Sequence, residues 1–163
     1  MIRLIVAADR KLGIAKNGGM PWQIPDDEAY FTEMTKTHGG NVLTGGVTFR
    51  EAYGSVPLAQ RHNFILTHDQ TPIEGVTLVH DLDEFLHGFQ GQDLWVAGGA
   101  AVFEQVINKG YADELYLTQI DADFDCDQFF PDFEDKFLLI QKSDKHQQNG
   151  FNFRYAVYGR KTT

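Results

Sequence analysis

Apolar positions along the chain fall into short runs, and polar or glycine-rich segments separate them. Ile2–Ala8 is nearly continuous and contains β-branched residues, the pattern of a central strand covered on both faces. Asn41–Thr44, Phe64–Thr67 and Val76–Val79 read as shorter strands, the stretch Asp93–Val106 as an apolar strand, a Gly98-Gly99 pair and an apolar helix, and Glu114–Asp121 as a longer strand. Helical stretches fall between them. One runs from about Pro25 to Lys36, with proline in the first turn, three carboxylates behind it and His38-Gly39-Gly40 at the end. Others are expected at 47–51, at 82–88 behind an Asp81 cap, and from Ala100 to Val106. Phe137–Lys142 and Phe151–Tyr158 read as an antiparallel hairpin about the polar turn Ser143–Gly150. This alternation predicts an α/β fold with a mostly parallel sheet and an antiparallel end. Asp9–Gln23 is too long for an ordinary connection and reads as a mobile lid with Met20 near its tip.

Composition narrows the picture. A chain of 163 residues, 42% of them apolar, suits one domain with a real core, spanning 1–163. No repeat, linker or domain boundary shows. The net charge of −9 repels nucleic acid and anionic membranes, so an anionic ligand needs a local cluster of donors. Cys126 is the one cysteine, which excludes a disulfide framework and favours a reducing, cytoplasmic setting. The opening apolar run is too short for a signal peptide, and nothing reaches the length of a membrane span. The six histidines show no metal-ligand spacing, and no metal is expected.

Two kinds of segment carry chemistry. In Gly18-Gly19-Met20-Pro21-Trp22-Gln23-Ile24-Pro25-Asp26-Asp27-Glu28-Ala29-Tyr30-Phe31, Asp27 and Phe31 are four apart and share a helix face. A carboxylate against apolar surface either finds a donor pair or has its pKa pushed up, and either state suits a flat, donor-rich heterocycle. Elsewhere, Gly45-Gly46 and Gly98-Gly99 each join a strand to a helix, leaving N–H groups exposed with no side chain in the way. That is the physics of a phosphate cradle, although the G-x-G-x-x-G fingerprint is absent. The acid alternation at 121–127 is like the start of a calcium loop, but Cys126 stands where the turn needs glycine, so that reading is set aside.

Met20-Pro21-Trp22, Ile24-Pro25, Asp27 and Phe31 resemble the active-site segment of the dihydrofolate reductase family, and the resemblance extends over nearly the whole chain. It implies a dihydrofolate reductase-like α/β fold: a mostly parallel eight-stranded sheet with an antiparallel C-terminal hairpin, flanked by four helices. It also implies reduction of 7,8-dihydrofolate to 5,6,7,8-tetrahydrofolate by hydride from NADPH, in tetrahydrofolate biosynthesis and one-carbon metabolism. On this reading Asp27 is the catalytic acid, Thr118 bridges it to the pterin, and Met20 and Trp22 complete the catalytic segment. Ile5, Ala7, Phe31, Phe49, Leu58 and Ala97 wall the substrate site, and Arg61 holds the glutamate tail of folate. Glu28 departs from the family, which has an apolar residue there. The dinucleotide is expected against Ala7, Ile14, Met20, Gly45, Gly46, Val47 and Thr48. It would continue along Leu66, Thr67 and His68 and then Ala97, Gly98, Gly99, Ala100, Ala101, Val102 and Phe103. Asp127-x-x-Phe130-Pro131 matches the family's acid-containing loop beside the lid. Gly46 replaces the arginine or lysine that usually grips the 2′-phosphate, which leaves NADH as an alternative cofactor. The expected partners are these small molecules only, with the protein a monomer. Two rivals stand beside this reading: a riboflavin-pathway type of reductase on the same fold, and a non-catalytic binder of pterins or nucleotides.

Overall fold

The computed structural model describes residues 1–162. Its main sheet runs β10-β11-β7-β1-β6-β3-β4-β5, with β1 at Ile2–Ala8, β3 at Asn41–Gly45, β4 at His62–Leu66, β5 at Val76–Val79, β6 at Leu94–Val96, β7 at Glu114–Ile120, β10 at His146–Gln148 and β11 at Phe151–Arg160. The six strands from β7 to β5 are parallel, and β11 pairs antiparallel with β7. A ninth strand, β9 (Phe137–Lys142), pairs with Ala156–Arg160 of β11, while β10 pairs with Phe151–Phe153. The two therefore lie end to end on one edge, and the sheet is eight strands wide. Four helices connect the strands: α1 (Pro25–Lys36), α2 (Gly46–Glu51), α3 (Leu82–Gly88) and α4 (Ala100–Asn108).

The expected parallel strands are apolar because both faces are covered. Leu4, Leu43, Leu94, Val96 and Leu115 are fully buried, and α4 closes one face with Val102, Phe103, Val106 and Ile107. On the other face Ile5, Val42 and Trp95 pack under Tyr30, Phe31 and Met34 of α1. A third cluster gathers Trp22, Ile24, Ile120, Cys126 and Phe153.

The 9–23 segment is not the featureless loop its composition suggests. It contains β2 (Gly13–Ala15), which pairs antiparallel with β8 (Gln128–Phe129). The buried Asp9 accepts N–H groups from Lys11 (2.9 Å), Gly13 (2.7 Å) and Phe124 (3.1 Å), which ties the base of the lid to the acidic loop. Gly13 is required there, because a Cβ would meet Cys126 Cβ at 2.6 Å. Asn17 N–H donates to Asp127 at 3.0 Å, so the acidic loop does pack on the lid.

The turn between β10 and β11 is Asn149-Gly150, both at positive φ (52° and 80°), a pair suited to tight hairpins. Its residues reach back to α1. Gln148 Oε1 accepts the Asp26 N–H at 2.7 Å, and Asn149 Nδ2 donates to the Gln23 carbonyl at 2.9 Å. Ile24, the N-cap of α1, has no side chain to do this work, so the hairpin caps the helix from outside.

Candidate active site

A cleft of about 890 Å³ opens along the carboxyl ends of the parallel strands, where open α/β sheets place their ligands. Asp27 stands at one end, in the first turn of α1, with its N–H on the Ile24 carbonyl at 2.9 Å. Its side chain is buried and accepts a hydrogen bond from Thr118 Oγ1 at 2.6 Å. Thr118 lies on β7 in register with Ala7 of β1, so the sheet itself fixes the donor. Burial pushes the Asp27 carboxyl up to about 6; the Thr118 hydroxyl opposes that rise, and the Glu28 charge adds to it.

The two glycine pairs meet at the middle of the cleft. Gly45 N–H donates to the Gly98 carbonyl at 2.8 Å, and Ala97 N–H donates to Leu43 at 2.9 Å. A Cβ on Gly99 would sit 2.6 Å from Thr48 Oγ1, and one on Gly45 would sit 3.0 Å from Val102 Cγ2. At position 99 only glycine fits against the Thr48 side chain, and at position 45 a larger residue would have to displace Val102. The N-cap of α4 is Gly99, with no side chain on the first N–H groups of Ala100, Ala101 and Val102. A diphosphate therefore finds bare amides and no steric bar, so the residues present fit a dinucleotide.

At the far end are Leu66, Thr67 and His68, just past β4, and His80, just past β5. His80 Nδ1 is 2.7 Å from the Thr67 carbonyl, which fixes it as the N–H donor. Four strand spacings separate β7 from β4, so the ends of the cleft lie about 19 Å apart. An extended ligand fits that span better than a compact one.

Nearly all of the sequence-derived site residues line this one cleft: Asp27, Thr118, Met20, Ile5, Ala7, Glu28, Phe31, Leu58, Ile14, Gly45–Thr48, Leu66–His68 and Ala97–Phe103. Met20 is exposed at the lid, and Glu28 is exposed at the mouth. Three expected residues do not line it. Trp22 is buried with Phe124, ring centroids 5.1 Å apart, and supports the lid from behind. Arg61 donates from Nε to the Ala59 carbonyl (2.9 Å) and from Nη1 to Thr35 Oγ1 (2.8 Å), beside the cleft and not in it. Phe49 is interior, 2% exposed. Sequence reasoning missed Tyr30, Tyr53, Glu51, His80 and Gln128. Tyr30 was findable, one residue before Phe31 on the same helix; it packs on Tyr155 at 4.2 Å, and burial raises its hydroxyl to about 12. His80 carries no local signal, because β5 brings it to the cleft. Among the described residues no group of three His, Cys, Asp or Glu side chains is placed to hold a metal ion, and no helix is long and apolar enough to cross a membrane.

A buried acid at one end, a glycine-lined middle and two histidines at the far end define an α/β protein with an elongated cleft along its strand ends. Comparison with known proteins narrows this. A family model described as dihydrofolate reductase matches residues 1–160. The chain is 32% identical to the dihydrofolate reductase of Bacillus subtilis over 168 aligned positions, covering 100% of this chain and 96% of that protein. It is 35% identical to that of Haemophilus influenzae, covering 97% and 98%. The solved dihydrofolate reductase of Enterococcus faecalis, complexed with NADP(H) and RAB-propyl, superposes with a TM-score of 0.86 at 29% identity, covering 99% of this chain and 97% of that one. The chain belongs to the dihydrofolate reductase family.

Proposed function

We propose that this protein reduces 7,8-dihydrofolate to 5,6,7,8-tetrahydrofolate with NADPH, as a cytoplasmic monomer that serves one-carbon metabolism. The observation that carries the reading is the Asp27–Thr118 pair, a single buried carboxyl held at 2.6 Å at the end of a dinucleotide-length cleft. A bound dinucleotide supplies the hydride. Asp27 accepts hydrogen bonds from the amino and ring N–H groups of the pterin, and its charge raises the proton affinity of the ring nitrogen beside the carbon that takes the hydride. Burial keeps the carboxyl partly protonated near pH 6, so a proton is at hand without a strong acid. Thr118 holds the carboxyl in one orientation. Ile5, Phe31 and Leu58 wall the site, and Met20 on the lid excludes water.

Glu28 places a like charge at the mouth, where the anionic tail of folate passes, and it weakens tail binding. Arg61 keeps its second terminal nitrogen for that tail. The test is loss of NADPH absorbance on adding dihydrofolate, with Asp27→Asn as control. Turnover that vanishes in the variant while its circular dichroism is unchanged supports the reading. Binding of dihydrofolate without turnover by the unaltered protein leaves a pterin binder instead. Full activity in Asp27→Asn removes the acid from its role.

A further inference from the structure

We infer that Tyr30 and Tyr155 form a second way in for protons, from the outer seam between α1 and β11 to Asp27. The inference rests on the reading of Asp27 as the acid of the reductase reaction. Sheet register builds the seam. Tyr155 of β11 pairs with Thr118 of β7, whose hydroxyl holds the Asp27 carboxyl, so both side chains stand on the face that α1 covers. Tyr30 follows Asp27 by three positions on α1 and lies on the same side of the helix. Its ring meets the Tyr155 ring with centroids 4.2 Å apart and planes tilted by 33°. The two rings open on different spaces. Tyr30 lines the cleft, and Tyr155 does not. The Tyr155 hydroxyl lies at the surface, 3.5 Å from the Asp26 carbonyl oxygen and so next to the peptide unit that leads into the acid. A continuous pair of phenols therefore runs from the outside of the molecule to the wall of the cleft.

Chemistry and access both suit a relay. A phenol hydroxyl donates and accepts, so it passes one proton on while taking another. Among the described residues no fully buried side-chain nitrogen or oxygen lacks a partner, so the Tyr30 hydroxyl, which has none in the protein, meets water. Water bridges such gaps at little cost. Burial holds both hydroxyls up at about 12, so they carry protons as phenols and do not rest as phenolates. The groups that face the pair are Asp26 and Asp27 of α1, Tyr116 of β7 and His146 of β10, whose ring centroid is 5.2 Å from that of Tyr155. Each turnover consumes one proton, taken up by a ring nitrogen of the pterin. The pair restores it. An O–H bond breaks on Tyr30 as one forms at Asp27 or at its water, Tyr155 refills Tyr30, and bulk water refills Tyr155. The net change is one proton drawn from solvent. Met20 on the lid excludes water from the mouth, whereas the seam opens outside the cleft.

The test follows turnover of dihydrofolate with NADPH from about pH 5.5 to about pH 9, in water and in deuterium oxide. It compares the unaltered protein with Tyr155→Phe and with the double variant Tyr30→Phe/Tyr155→Phe. Phenylalanine keeps the packed rings and removes only the hydroxyls. In the double variant turnover is expected to fall roughly tenfold near the top of that range and to stay within about twofold at the bottom, where protons are plentiful. Its solvent isotope effect should rise, and KM for both substrates should hold within about twofold. Tyr155→Phe alone should show the same selective loss to a smaller degree. Ammonium, a small diffusible acid, added at constant ionic strength should restore the lost rate, because a broken relay is bypassed and a packing defect is not. An unchanged profile in the double variant overturns the inference. So does a loss equal at both ends of the range, a loss that ammonium leaves in place, or a profile displaced upward, which marks a changed field at Asp27. Failure of the reductase reading looks different: no oxidation of NADPH by dihydrofolate in the unaltered protein at any pH, which takes the relay with it.

Discussion

The two ends of the cleft handle charge in opposite ways. At the Asp27 end a single carboxyl is 9% exposed, hydrogen-bonded within the fold and lifted to about 6. At the other end His68 and His80 are exposed, and only His80 has a protein partner for its side chain. The difference follows from what each end must do. A proton donor near neutral pH needs desolvation, which the sheet and α1 supply. Capture of a phosphate needs cations still unspent, which burial would force into ion pairs. One end is tuned by enclosure and the other is kept open.

The sharpest way to break this contrast is Asp27→Asn. Turnover at neutral pH should fall by roughly 10²–10⁴. The protein should meanwhile become more stable at neutral pH, by about 3 kcal/mol, because the buried charge is gone. The sign follows from the raised carboxyl. Its contribution to stability is full below the model-peptide value of 3.8 and is lost as pH rises through about 6, so melting temperature should drop over that window in the unaltered protein and not in the variant. Next in size is Gly99→Ala, whose Cβ would sit 2.6 Å from Thr48 Oγ1. It should raise KM for the dinucleotide roughly tenfold, and Thr48→Ala in the same chain should recover part of the loss. Thr118→Val removes the one contact that holds the Asp27 carboxyl down, so the pH–rate profile should move up by about one unit. Glu28→Leu is the mildest. Losing the like charge should move the profile down by a few tenths of a unit and lower KM for dihydrofolate.

How much of this was legible in the sequence differs between the two ends in the same way. Asp27 and Phe31 are four apart on one helix, and the glycine pairs sit next to their strands, so local spacing carried them into the cleft. His80 reaches the cleft only through the pairing of β3, β4 and β5, which no local pattern announces. Trp22 misled for the opposite reason. Its place in the motif suggested contact with ligand, but Phe124 and Phe153, far along the chain, form the pocket that takes its ring. The strands β2, β8 and β10, of three, two and three residues, are too short to show a period. They exist because a partner strand is present. In the first of them that pairing turned an expected mobile lid into a segment pinned at its base.

The cap that Gln148 and Asn149 place on α1 has a consequence for the order in which the molecule is completed. During synthesis the helix bearing Asp27 leaves the ribosome more than a hundred residues before the hairpin that closes its first turn. Thr118, which orients the carboxyl, also emerges late, and β11 must then pair beside it. A nascent chain can therefore assemble most of its nucleotide-facing surface while its acid is still unanchored. The final stretch of translation sets the chemistry in place.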